Sequence, residues 1–390
     1  MKRLVLLAVA LAAPVRLAAQ SAPLNVADIV AAAPPAEWRT IAPEDLLVMD
    51  LAPDVAGKPR RVVIQLLPAP FSQGWVENIR TLAKAHWYDG NAIVRAQDNY
   101  VVQWGDPASE DETPDGKARG EAKPLPEGLR KVPESNYVVD RDTLTAISAG
   151  TTANEMVENM ASDAQAYLAG HDSERIALIS IDATQTERTR QGWHERDSYA
   201  TWVEFWQGWP IANAETGRWV NEDGEPVARP ENTQRHGRQQ QGITFDPDTS
   251  VFWPVHCYGY VGVGRNVSPD TGSGAELYAV IGHAPRHLDR NIAVVGRVIE
   301  GIEHLSTLPR GTGPLGFYET PREQVAIPSM RLGNEVPGLP AYQYLDTASA
   351  SFAAYLARRA NRKDEFFIQP AGGVDICNVP VPIRRVPGEG

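Results

Sequence analysis

Apolar residues near the start of the chain fall in two short runs, "DLLVMDL" over 45–51 and "RRVVIQLL" over 60–67, each of strand length and rich in branched aliphatic residues. The period then changes. In "SQGWVENIRTLAKAHWYDG", from Ser72 to Gly90, Trp75, Ile79 and Leu82 recur at helical spacing behind an N-cap at Ser72, which predicts a helix with one face on the strands. "NAIVRAQDNYVVQWGDP", Asn91 to Pro107, returns to short apolar stretches around Ile93 and Val101 and predicts a hairpin with "QDN" as its turn. Arg95 interrupts that pattern. A guanidinium stays charged, and burying it costs several kcal/mol unless partners satisfy it, so Arg95 is either a structural ion pair or part of a pocket wall.

A polar, proline-rich stretch follows over 106–135 and reads as loop or linker. "TTANEMVENMASDAQAYLAG", over 151–170, has capping-box spacing between Thr152 and Glu155 and an apolar stripe from Met156 to Leu168, predicting a helix. "RIALISI" predicts a strand, and Tyr199, Trp202, Val203 and Trp206 predict one face of another helix. Beyond a second polar stretch over 221–242, strands are predicted in "VFWPVHCYGYVGVG", "ELYAVIG" and "NIAVVGRVIEG", and a late helix carries Phe352, Tyr355 and Leu356. Two strand-rich blocks thus flank a mixed middle, the pattern of one β-structure interrupted by a long insertion.

Composition places this chain among globular proteins, with 43% hydrophobic and 22% charged residues. Its first residues, "MKRLVLLAVALAAPVRLAAQSAP", combine Lys2 and Arg3, an apolar run from Leu4 to Val15 and small residues near Ala18–Ala22, the layout of a secretory signal over 1–20 that is too short to span a bilayer. Cleavage there removes Lys2, Arg3 and Arg16 and no acid, taking the formal charge from −12 to −15. An acidic, exported protein is a poor partner for nucleic acid, and no later run is long enough for membrane insertion, so a periplasmic or secreted location is expected. The two cysteines, Cys257 and Cys377, form one disulfide in that setting or remain as two buried thiols, and they exclude an all-cysteine zinc site.

Three motifs carry little chemistry. "PDTGSG" at Asp270 contains an aspartic-protease triplet, but Ser268-Pro269 precede it where an apolar strand is needed, so a polar turn is expected. His283 and His287 stand four apart, yet Gly282 and Pro285 oppose a helix and no third metal ligand is evident. "GVGRNVSPDTGSG" lacks the lysine of a phosphate loop.

The hairpin and the second strand block together carry a family likeness. Val76-Glu77-Asn78-Ile79, Tyr88-Asp89-Gly90, Arg95, Tyr100, Gln103, Gly105 and Asp106 fall at the spacings of the cyclophilin pattern "V-x-N-F", "Y-x-G", "F-H-R-x-x-x-x-F-x-x-Q-G-G-D". "SGAELYAVIGHAPRHLDRNIAVVGRVIEG" resembles the second half of that family, with Leu288-Asp289 and Gly296-Arg297-Val298-Ile299-Glu300-Gly301 in register. Glu276 then stands for the family's glutamine, Tyr278 for its pocket phenylalanine and His287 for its site tryptophan. Ile93-Val94 replace the Phe-His pair, and Ile292 replaces a histidine.

The resemblance implies a mainly β fold: a closed antiparallel eight-stranded barrel capped by two helices, with an α/β insertion and a C-terminal extension. Its expected parts are 44–106 and 251–308 for the barrel halves, 107–250 for the insertion and 309–390 for the extension. It further implies peptidyl-prolyl cis-trans isomerase activity on proline-containing unfolded or extended polypeptides, without metal or cofactor. Arg95 and Gln103 are the implied catalytic pair; Tyr100, Val101, Gly264, Arg265, Glu276, Tyr278, His287 and Leu288 are the implied substrate contacts. The replaced positions leave a second reading open, a catalytically weak module that holds extended segments in the same groove.

Overall fold

Residues 25–109, 120–147, 197–215, 218–221, 226–227, 244–246, 250–362, 366–369 and 373–388 are described in the computed structural model of the chain. The expected signal segment, the helix over 151–170 and the strand "RIALISI" lie outside them.

Eight barrel strands, labelled in chain order, build one antiparallel sheet: β1 Leu46–Leu51, β2 Arg60–Leu66, β3 Ala92–Ala96, β4 Val101–Gly105, β5 Tyr260–Val263, β6 Leu277–Val280, β7 Val294–Glu300, and β8 in two pieces, Val325–Ala326 and Ser329–Leu332. The sheet runs from the first piece of β8 through β3, β4, β6, β5, β7, β2 and β1 to the second piece of β8. Ile327 and Pro328 separate the pieces, and proline has no N–H to give a ladder. Ile327 N–H donates to the Asn91 carbonyl and Ala52 N–H to the Ala326 carbonyl, each at 2.8 Å, so the two margins of the curled sheet meet in this one stretch.

Inward side chains such as Leu47, Met49, Val62, Ile64, Val102, Trp104, Leu277 and Ala279 make the barrel core. Helix Gln73–Lys84 follows Ser72, whose left-handed φ of 54° turns the chain into it, and buries Trp75, Val76, Ile79, Leu82 and Ala83 against that core. The second cap is short, Glu303–Ser306, and seats Leu305.

Outward residues of β1 and β2 are buried as well. Leu46, Val48 and Val63 pack with Ile41 and Tyr342 of a three-stranded sheet, Trp38–Ile41, Tyr342–Leu345 and Ile383–Arg385. Burial on both faces explains why β1 reads as a continuous apolar run. Helices Val26–Ala32 and Ala350–Ala360 share a further cluster around Ile29, Phe352 and Tyr355. Cys257 and Cys377 are disulfide-bonded, tying the C-terminal tail to the approach of β5.

Two boundaries and one element differ from the sequence reading. The barrel does not end at 308, because its closing strand is 325–332, within the expected extension. The second half does not begin at 251 either. Ser250–Pro254 pairs with Trp209–Glu215 in a four-stranded sheet with Val139–Asp140 and Trp202–Trp206, and the barrel resumes at β5. Among its described residues the insertion carries these strands together with the helix Arg141–Ile147.

The helix expected around Trp202 is strand Trp202–Trp206 of a hairpin with Trp209–Glu215. Gln207 and Gly208, both at positive φ, make its two-residue turn. Val203 and Trp206 both enter the main core while Phe205 packs on two clusters. Covered faces thus produced a spacing that imitates a helix.

Candidate active site

The hairpin β3–β4 places Arg95 directly opposite Gln103, and a β-bulge between Ile93 and Arg95 sets that register. The bulge keeps Ile93 and Ala96 in the core while Arg95 emerges on the outer face. Gln103 in turn lies opposite Tyr278 on β6, and Tyr278 opposite Gly262 on β5. Four adjacent strands therefore carry one outward row, Arg95, Gln103, Tyr278 and Gly262. A Cβ at position 262 would lie 2.3 Å from the Tyr278 Cζ and Oη, so the glycine lets the phenol lie flat across β5.

Arg95 is held by several acceptors. Nη1–H donates to Gln103 Oε1 at 3.2 Å, Nε–H to the Leu315 carbonyl at 2.8 Å, and Nη2–H to Gln97 Oε1. Its guanidinium lies 5.7 Å from the Tyr100 ring centroid and 5.2 Å from that of Phe317. Leu315 and Phe317 come from a segment that runs beside β3, with Gly311 N–H on the Ala96 carbonyl and Tyr318 N–H on the Val94 carbonyl. The Gln103 side-chain oxygen accepts from Arg95, and its amide nitrogen is the donor end.

An apolar patch adjoins the row. Val101, Tyr278 and Val280 cluster with Tyr100, Leu288 and Ile292, and the His287 ring stacks on Tyr100 at 6.4 Å. Arg95, Gln103, Tyr100, Val101, Tyr278, His287 and Leu288 are thus gathered in one place. Gly264, Arg265 and Glu276 form a neighbouring group at the β5–β6 end. Gly264 N–H donates to the Glu276 carbonyl at 2.8 Å, and Arg265 Nε–H to the Asn291 carbonyl at 2.8 Å. The Asp270 triplet is a polar turn, its carboxylate accepting Asn266 and Gly272 N–H.

The family pattern "Cyclophilin type peptidyl-prolyl cis-trans isomerase/CLD" matches residues 59–161 and 189–332, more than half of the chain. The chain belongs to the cyclophilins. It is a peptidyl-prolyl cis-trans isomerase of the cyclophilin type. Among solved structures, this cyclophilin is similar to AquaCyp293 from Hirschia baltica at 18% identity and a TM-score of 0.51, over 89% of this chain and 92% of that one. A cyclophilin-type isomerase from Cryptosporidium parvum, solved in the presence of the dipeptide Ala-Pro, covers 74% of this chain and 98% of its own at 9% identity and a TM-score of 0.31. Comparison with curated protein sequences found no match.

Behind Tyr278 of this cyclophilin lies a group that the sequence reading missed. Tyr278 Oη is 2.9 Å from His256 Nε2, and His256 Nδ1 is 2.9 Å from Asp289 Oδ1. Asp289 Oδ2 accepts from Arg286 Nε at 2.6 Å, and Arg286 Nη1 and Nη2 donate to Asp197 at 2.7 and 3.1 Å. Burial raises the Tyr278 pKa well above its ordinary value, keeping it a neutral hydroxyl donor. Burial alone would raise the Asp289 pKa, but hydrogen bonds and charge from His256 and Arg286 outweigh it and hold the carboxyl below its ordinary value. The signal available in the sequence was His256 itself, a polar residue inside the apolar run "VFWPVHCYGY".

Proposed function

We propose that Arg95 is the group that lowers the isomerisation barrier, with Tyr100, Val101, Tyr278 and Leu288 gripping the proline ring and Gln103 orienting the guanidinium. The observation that carries this reading is the cross-strand row Arg95, Gln103 and Tyr278 beside the apolar cluster of Val101 and Leu288. An X-Pro amide resists rotation because the nitrogen lone pair is delocalised into the carbonyl, a barrier of about 18–20 kcal/mol. At the twisted transition state the lone pair is localised on nitrogen. A donor aimed there stabilises the twist and not the planar ground state, so its binding energy appears in kcat. An acceleration of about a thousandfold needs only about 4 kcal/mol, within reach of charge-assisted hydrogen bonds.

The clients we propose are exported chains containing proline. Support comes from the N-terminal Lys2-Arg3, the apolar run to Val15 and the small residues after it. Folding assistance in an envelope compartment follows from that address and from the slow uncatalysed step, which takes tens of seconds or more.

Cis-to-trans isomerisation of an X-Pro tetrapeptide by wild type and by Arg95→Ala tests the catalytic reading. Acceleration by wild type and its loss in the variant are expected. A folded wild type that leaves the rate unchanged while binding the peptide would make the groove a holding site. For the address, N-terminal sequencing of protein recovered from its native cell is expected to begin near residue 21; an intact Met1 end sinks the export proposal.

A further inference from the structure

We infer that the buried chain Asp197, Arg286, Asp289, His256 and Tyr278 sets the position of both walls of the proline pocket, with Asp197, His256 and Asp289 as positioning residues. The inference rests on the proposed function and extends it: the insertion, through Asp197, becomes a working part of the site.

The geometry starts at the two walls. One is Tyr278 on β6; the other is the turn Arg286–Leu288, whose His287 and Leu288 face the pocket while Arg286 and Asp289 turn into the protein. A single oxygen of Asp289 takes both the backbone N–H of His256, at 3.0 Å, and its ring Nδ1. A carboxylate oxygen accepts only, so the imidazole proton sits on Nδ1. In the neutral imidazole Nε2 is then an acceptor, with the Tyr278 hydroxyl as its donor. The other Asp289 oxygen is anchored by Arg286, and Arg286 by both oxygens of Asp197, a bidentate pair in which each side chain is 4% exposed. Both walls are thus fastened to the same carboxylate, and the last link belongs to the insertion.

A role in stability alone does not account for the placement. A phenylalanine would pack across Gly262 with no hydrogen-bond partner, whereas a buried tyrosine needs one. The hydroxyl therefore makes the wall's position depend on His256, and through it on Asp289, Arg286 and Asp197. Removing any link frees Tyr278 or the His287–Leu288 turn to shift, which changes pocket width before it unfolds the barrel.

The test uses the full-length protein with Tyr278→Phe, Asp197→Asn and the double variant, avoiding substitutions of buried His256 that could prevent folding. Nitrogen NMR of wild type is expected to show His256 as the Nδ1–H tautomer with Nε2 unprotonated. Each single variant is expected to lower kcat/KM for an X-Pro tetrapeptide by about five- to tenfold, and the double variant to lose no more than the worse single, because coupled sites are not additive. An Nε2–H tautomer overturns the proposal, as do single variants within twofold of wild type or losses that multiply in the double. If wild type does not isomerise the peptide, the proposed function fails on its own. The same variants, compared by NMR for peptide Kd, then decide whether the chain sets the pocket.

Discussion

Two arginine rows cross the same barrel and differ chiefly in what covers them. Arg95 on β3 lies opposite Gln103, which lies opposite Tyr278. Arg297 on β7 lies between Gln65 of β2 and Tyr260 of β5. Each guanidinium donates to its glutamine's oxygen and lies over aromatic rings, with Trp209 at 4.2 Å from Arg297. Arg297, however, is 4% exposed, and its Nη1–H reaches the Gly208 carbonyl at the tip of the insertion hairpin. Burial pulls its pKa down, the mark of a cation removed from water. The same three residue types, paired across neighbouring strands, brace the fold where the hairpin covers them and leave the arginine half-exposed beside an apolar cluster where it does not. Residue identity therefore does not assign the role; the cover does.

The largest effects are expected from deleting the arginines themselves. Arg95→Ala should lower kcat/KM by about a hundredfold or more, as loss of a transition-state donor does, with Tm near wild type. Arg297→Ala leaves Gln65 Oε1 and the Gly208 carbonyl without their donor and should reduce the unfolding free energy in urea by about 2–4 kcal/mol. If the activity and stability losses are exchanged between the two variants, the comparison is wrong.

Glycines beside each row sharpen it at a smaller scale. A Cβ on Gly262 meets Tyr278 at 2.3 Å, so Gly262→Ala should lower kcat/KM by about tenfold through the displaced ring, at about 1–3 kcal/mol of overpacking. Gly208 has φ of +82°, and a Cβ there meets the Tyr344 ring at 2.5 Å. Gly208→Ala should cost about 1–3 kcal/mol in urea and leave kcat/KM within twofold.

The smallest expected effect is on acid sensitivity. The Asp289 pKa is depressed in the folded protein, so its contribution to stability is present above the ordinary aspartate value and is lost as pH falls through the folded value. Urea titrations on the acidic side should show a shallower loss of stability in Asp289→Asn than in wild type. Equal slopes would mean that Asp289 is not held ionised by Arg286 and His256.

Hairpin β3–β4, helix Gln73–Lys84 and strands β6 and β7 were legible because each declares itself within about a dozen residues, by its period and the offset of Arg95, Tyr100 and Gln103. Strand β8 was not, since its pieces flank Pro328 and are too short to carry a pattern. The hairpin at Trp202 was misread because both its faces are covered, while "QG" at 207–208 is a weak turn signal beside Asn-Gly. The group behind Tyr278 was passed over because, apart from the Arg286–Asp289 pair three positions apart, its links span 22, 89 and 33 positions, beyond any local rule.

The amino-acid sequence by itself determined the local elements of the barrel and the family, since these follow from periodicity and short spacings. Only the tertiary structure decided which arginine row stays open, where the barrel closes and which buried groups stand behind Tyr278. Those are matters of cover and of long-range hydrogen bonding, and both arise when distant segments meet to satisfy polar groups that burial has removed from water.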